Sequence, residues 1–302
     1  MSFFERLTIR CKEVDSFLCV GLDPHTQDLE KLGDVSAEGA YKFAINLIDQ
    51  TKHIAVCYKP NAAFFEALGA EGVNALARVI AYVPDAIPVL LDNKRGDIGS
   101  TAVAYAESAY SHYKADAVTV NPYMGTDSVA PFTSDPTKGA FVLCKTSNPS
   151  SSELQELYLS TGEAVFERTA KLASDLWNGN NNVGLVVGAT DVDALERSRR
   201  AAPGLWILAP GIGSQGGDLV QATAKGLRKD GYGLLVPVSR GIARAENPKE
   251  AAEKLREGKF FLNNVDSVVI LEPKKNVLLF LVCVLLEPVS CSFCFLFVFF
   301  FC

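Results

Sequence analysis

Four charged residues stand directly behind an apolar run in Leu90-Leu91-Asp92-Asn93-Lys94-Arg95-Gly96-Asp97. Side chains alternate along an extended chain, so Asp92 and Lys94 are expected on one side and Asn93 on the other. That sets a carboxylate beside an ammonium. Taken alone, an Asp-x-Lys is more often a solvated turn with a surface salt bridge of little energetic consequence. Two neighbours weigh against that reading. Val89-Leu90-Leu91 is a core strand that fixes where the pair sits, and Tyr58-Lys59-Pro60-Asn61 ends another such run with a second lysine.

The elements that must position these residues are short strands alternating with helices. Strands are expected over 17–23, 54–59, 88–93, 117–121, 140–145, 183–188, 206–209 and 234–238. They are mostly continuous apolar runs, as parallel strands covered on both faces are. Between them, Ala37–Thr51 puts Ala40, Phe43, Ala44, Leu47 and Ile48 on one stripe, and 153–177 reads as one long helix. Asn247-Pro248 opens the last helix with a capping residue and a proline in the first turn. Eight such units predict a single closed (β/α)8 TIM barrel. An open doubly wound sheet usually has fewer strands and a Gly-rich first turn, whereas the first strand here ends Gly21-Leu22-Asp23-Pro24-His25.

In such a barrel the chemistry sits at the C-terminal ends of the strands. Those positions carry Asp23, then Lys59 and Asn61, then Asp92, Lys94 and Asp97, with Ser147, Gln215 and Arg240 after strands five, seven and eight. Charged groups converging from several strands are not surface decoration. Other features carry less. The three histidines, His25, His53 and His112, have no metal-ligand spacing. Gly211-Ile212-Gly213 is too short a pattern for dinucleotide binding, and 225–229 reads as a solvated helix face. A net charge of −6 and a pI near 5.3 argue against nucleic acid as a partner. Cys19, Cys57 and Cys144 lie in apolar runs and read, with Cys11, as reduced thiols, and no signal-peptide-like run opens the chain, so a cytoplasmic location is expected.

Lys59 in YKPN, the DNKRGDIGST stretch, Ser147 in KTSNP, PGIGSQGGD from Pro210, and Ser239-Arg240-Gly241 follow one another in the order and spacing of a known family. Over residues 1–258 the chain resembles the orotidine 5'-monophosphate decarboxylases, in the branch with a DxKRGDIGST core. Asn93 departs from the more familiar Ala at the second motif position. The resemblance implies a cofactor-free barrel enzyme that converts orotidine 5'-monophosphate to uridine 5'-monophosphate, the last step of pyrimidine nucleotide synthesis. It assigns an alternating charge network to Lys59, Asp92, Lys94 and Asp97, with Lys94 stabilising and protonating a carbanion at C6. It also implies a homodimer in which Asp97, Ile98 and Thr101 enter the partner's pocket. Asp23 and Thr101 resemble the ribose contacts, Asn61 and Pro210 lie among the substrate-binding positions, and Ser147 resembles the contact to the pyrimidine amide. Gln215, Arg240 and the backbone near Gly213 and Gly241 resemble the phosphate grip. No metal is implied.

From residue 259 the resemblance stops. Residues 276–302 contain one charge, Glu287, which divides an apolar tail into uncharged runs of 11 and 15 residues, the second opening on Pro288. Each is shorter than the ~18 residues of a clean membrane span, which leaves a tail anchor as the alternative to a cytoplasmic protein. The Phe, Leu, Cys and Val repetition resembles translated non-coding sequence instead. Since some members of the branch continue into an orotate phosphoribosyltransferase, a disrupted fusion fits that reading. Two rival functions are a Mg2+-dependent sugar-phosphate synthase on the same barrel and an inactive, membrane-tethered scaffold. Lys59 in place of a metal-binding acid opposes the first, and the intact set of charged strand ends opposes the second.

Overall fold

The computed structural model describes residues 1–212 and 217–263. Eight parallel strands run β1 Leu18–Leu22, β2 Cys57–Pro60, β3 Leu90–Arg95, β4 Ala117–Val120, β5 Gly139–Lys145, β6 Val183–Val187, β7 Trp206–Leu208 and β8 Leu234–Val238. Their order is β2-β1-β8-β7-β6-β5-β4-β3. Parallel bridges from Tyr58 to Val89 and from Asn61 to Asp92 bring β2 against β3, so the sheet closes on itself. The expected TIM barrel is the observed one. Continuous burial along β1, β2, β4, β6, β7 and β8 explains why these strands read as apolar runs without alternation.

The helix Phe3–Val14 precedes the barrel and covers its floor, the end opposite the charged residues. Its Ser2–Glu5 capping box sets the first turn, with Ser2 N–H donating to Glu5 at 2.7 Å. Phe3 and Phe4 pack edge-on against Phe141 at 6.0 and 5.5 Å, and Phe4 stacks on Trp206 at 6.0 Å. A side chain at Gly139, where β5 begins, would meet the Phe3 ring at 2.6 Å. Ala37–Thr51 forms as expected and buries Ala40, Phe43, Ala44, Leu47 and Ile48. Asn247 Oδ1 accepts the Glu250 N–H at 3.2 Å at the start of Pro248–Asn263, so the capping reading holds there too. That helix is described over Pro248–Asn263.

One helix expectation is overturned. Residues 153–177 are not a single helix: Ser152–Gln155 is one turn, and the chain becomes helical again only at Val165–Leu172, continuing as a wider turn over Ala173–Trp177. Between them Tyr158 and Ala164 form an antiparallel bridge, and Gly162 turns the chain at φ 82°. Glu167 then caps the new helix by accepting the Ala164 N–H at 2.9 Å. Local helix-forming composition loses to a left-handed turn that glycine adopts without strain.

Cys19, Cys57 and Cys144 are buried thiols, as read from the sequence, and Cys11 is a buried thiol too. Burial pushes the Cys144 thiol up to about 12. Among the described residues no helix is long and apolar enough to cross a membrane. The tail beyond 263, including Glu287, Cys291 and Cys294, lies outside them.

Candidate active site

Two neighbouring strands, β2 and β3, build a charge network around one buried carboxylate. Lys59 closes β2 and is 8% exposed, and Asp92 of β3 is 7% exposed. Lys59 Nζ donates to Asp92 Oδ2 at 2.8 Å, and Lys94 Nζ to Oδ1 at 2.6 Å. One carboxylate therefore sits between two ammoniums. Burial alone would disfavour the Lys59 ammonium, but the carboxylates of Asp92 and Asp23 outweigh it and hold its pKa above lysine's ordinary value. Burial likewise opposes the Asp92 carboxylate, and Lys59 and Lys94 hold its pKa below the usual carboxylate range. Both charges persist through the neutral range. Lys94 keeps a half-exposed side chain, so its ammonium is the member of the network open to a ligand.

The expected pairing of Asp92 and Lys94 is present, but regular alternation does not produce it. The β3–β4 register shifts between Leu91 and Arg95, and Lys94 has a left-handed backbone at φ 45°. For a side chain other than glycine, asparagine or aspartate that conformation is costly and needs support from its surroundings. Asn93, at the second motif position, buries an Oδ1 that has no hydrogen-bond partner.

Asp97 lies just beyond. Its Oδ1 accepts the N–H of Ile98 at 2.8 Å, and among the described residues no ion pair joins it to Lys59 or Lys94. The helix Gly99–Glu107 starts with Ile98 as its N-cap and no side-chain cap, so Asp97 does not serve as its capping residue. The Gly96 backbone passes so close to Asn121 that a Cβ would meet its carbonyl oxygen at 2.7 Å, and Gly99 turns at φ 54°. The segment that follows is outward-facing, with Thr101 exposed, Ile98 55% exposed and Val103 54% exposed.

The remaining described candidates follow strands at the same end of the barrel. Asp23 follows β1, and its buried Oδ1 has no hydrogen-bond partner, an acceptor waiting for a donor. Asn61 spends its Oδ1 on the Ala63 N–H at 3.2 Å, capping the short helix Ala62–Glu66. Ser147 follows β5 and is half-buried. Pro210 follows β7, where its carbonyl accepts the Ala189 N–H at 2.7 Å. Arg240 and Gly241 open the single turn Arg240–Ala243 directly after β8. Gly213 and Gln215 lie outside the described residues. Among those described, no three His, Cys, Asp or Glu side chains converge as a metal site would require.

A model of the orotidine 5'-phosphate decarboxylase / HUMPS family matches residues 16–255. The chain belongs to this family. It is 45% identical to orotidine 5'-phosphate decarboxylase of Roseiflexus castenholzii over 264 residues, covering 85% of this chain and 97% of that one. Among solved structures it superposes on Leishmania donovani OMP decarboxylase with a TM-score of 0.78 and 50% identity, over 86% of this chain and 99% of that one. It matches Leishmania donovani UMP synthase with a TM-score of 0.82 and 52% identity, over 87% of this chain but only 56% of the longer one. Membership places the chain among the carboxy-lyases.

Two side chains near these residues escaped the sequence reading. Thr119 of β4 is 1% exposed and bonded to Asp92. As the only hydroxyl in the run Ala117–Val120, it could have been found by asking what polar group interrupts a buried strand. Lys145 ends β5 and is 4% exposed, with Nζ 2.7 Å from Ser151 Oγ and 3.1 Å from Glu156 Oε1. It ties down the loop that carries Ser147.

Proposed function

We propose that this protein removes the C6 carboxylate of orotidine 5'-monophosphate through a carbanion that Lys94 stabilises and protonates. The observation that carries this is the Lys59–Asp92–Lys94 array, in which a buried carboxylate accepts from two ammoniums and the Lys94 side chain is half-exposed. Breaking the C6–carboxylate bond leaves its electron pair on C6 as CO2 departs. No ring position delocalises that pair, so the protein must meet it with charge already in place. The Lys94 ammonium supplies that charge and then its proton to C6, and solvent reprotonates the amine. Asp92 holds Lys94 in position and lies against the departing carboxylate. Lys59, saturating the other Asp92 oxygen, keeps that carboxylate ionised. The same array opposes the sugar-phosphate synthase reading, because an ammonium stands at Asp92 Oδ2 where a metal ion would need a free carboxylate oxygen. Turnover in D2O tests the carbanion step: uridine 5'-monophosphate bearing deuterium at C6 is expected, and product with hydrogen there would overturn it.

Substrate binding falls to the ring of residues around this array. The unpartnered Asp23 Oδ1 suits a ribose hydroxyl, Ser147 the pyrimidine amide, and Arg240 with Gln215 and the Gly241 backbone the phosphate. Asn61, Pro210, Ile98 and Thr101 complete the set. Arg suits a phosphate dianion because its guanidinium donates two parallel hydrogen bonds. Arg240→Ala is expected to lower kcat/KM for the nucleotide by about 10²- to 10³-fold, the cost of removing one partner from a hydrogen-bonded charge pair. A change within a few-fold would remove Arg240 from the phosphate site.

The working unit in this reading is a homodimer, with Asp97 crossing into the partner's site. The barrel corresponds to the decarboxylase part of a longer enzyme, as the partial match to UMP synthase suggests. Because the eighth strand and the helix Pro248–Asn263 that follows it lie within residues 1–263, a protein cut after that residue is expected to stay folded and active. Retained absorbance-based turnover and a cooperative melt would show it, whereas loss of folding would make the following residues part of the domain.

A further inference from the structure

We propose that Thr119 is a positioning residue for the decarboxylation, its hydroxyl fixing both the backbone of Lys94 and the carboxylate that holds the Lys94 ammonium. A threonine hydroxyl has one proton to donate and two lone pairs. Here all three are used within the charge network. Oγ1 donates to Asp92 Oδ1 at 2.9 Å, and it accepts the N–H of Asn93 at 3.1 Å and of Lys94 at 2.9 Å. The atom is buried, with Thr119 1% exposed.

The placement explains two features that the Lys–Asp contacts leave open. The first is the backbone of Lys94, left-handed at φ 45° where β3 and β4 lose register. Two successive N–H groups turned onto one oxygen of the neighbouring strand hold that turn in place. The second is the aim of Asp92. Its Oδ1 receives Lys94 and Thr119 together, while Oδ2 receives Lys59. Without the hydroxyl, Oδ1 has one donor fewer and the carboxylate can rotate about its last bond. The Lys94 Nζ would move with it. Thr119 thus acts on the reacting ammonium through both ends of that residue, the main chain and the salt bridge.

The inference rests on the decarboxylase reading of the site, and the parent enzyme serves as the control that separates the two. In the full chain, Thr119→Val keeps the shape and removes all three bonds. It is expected to lower kcat by about 10- to 100-fold, the effect of losing a hydrogen bond to a charged group. Its affinity for uridine 5'-monophosphate is expected to stay within about threefold, since the phosphate and ribose contacts lie elsewhere. Thr119→Ser restores the oxygen and should recover kcat to within about threefold of the parent. The proposal is overturned if Thr119→Val keeps parental kcat, if it loses kcat and product affinity in equal proportion, or if the serine variant is as slow as valine. Valine also strands two part-buried N–H groups and can cost the fold. In that event Thr119→Cys against Thr119→Ser gives the answer: the weaker sulfur acceptor should be slower by about tenfold, and equal rates overturn the proposal. A parent with no activity on orotidine 5'-monophosphate would overturn the decarboxylase reading and this inference with it.

Discussion

Replacing Lys94 with alanine is expected to lower kcat by at least about 10⁴-fold while the protein still folds and still binds uridine 5'-monophosphate. Two separate losses combine in that figure. A unit charge about 4 Å from the carbanion contributes roughly 4 kcal/mol at an effective dielectric of about 20, which is about 10³-fold in rate. Delivery of the proton by a positioned acid adds roughly 10²- to 10⁴-fold. The losses need not multiply fully, because both act on the same carbon. Folding should survive, since the Lys94 side chain is half-exposed and Asp92 keeps Lys59 and Thr119 as donors. Single-turnover rates with the circular-dichroism melt as a control would measure this. A fall of less than about tenfold would move the acid role elsewhere.

Mixing two dead variants is expected to restore activity. Lys94→Ala and Asp97→Ala should each be nearly inactive as homodimers if Asp97 crosses to its partner. In a mixed dimer one site takes Lys94 from one chain and Asp97 from the other, and the second site takes both alanines. With random exchange half the dimers are mixed and half their sites are intact, so about a quarter of parental activity should return. The structure motivates the test in a specific way. Asp97 forms no ion pair with Lys59 or Lys94 among the described residues, does not cap the helix behind it, and precedes an exposed segment with Ile98 and Val103. If exchange is verified and no activity appears, Asp97 acts within its own chain.

Much of this architecture was legible because a parallel barrel buries its strands on both faces. Each of the eight apolar runs became a strand, and Lys59 and Asp92, read as strand-end residues, meet in an ion pair. The limits are equally physical. Residues 153–177 contain helix formers, and only the left-handed turn at Gly162 and the bridge from Tyr158 to Ala164 reveal the break. Alternation brought Asp92 and Lys94 together on paper, but the structure does so with a register shift and a left-handed lysine, which no residue count discloses. Thr119 was overlooked because a threonine inside a buried strand is ordinarily a β-branched core residue, and its role depends on which oxygen faces it across the sheet. The floor helix was likewise unread: Phe3 and Phe4 precede any strand, and their packing on Phe141 and Trp206 joins residues distant in sequence. The role proposed for Asp97 in a second subunit rests on family resemblance, since local geometry places it only as far as an outward turn.

The most direct measurement is the loss of absorbance as purified protein converts orotidine 5'-monophosphate to uridine 5'-monophosphate, before and after exhaustive treatment with a metal chelator. Turnover that a chelator leaves unchanged is expected, because Lys59, Asp92 and Lys94 supply the charges themselves. No turnover of this nucleotide, or turnover abolished by the chelator and restored by Mg2+, would contradict it.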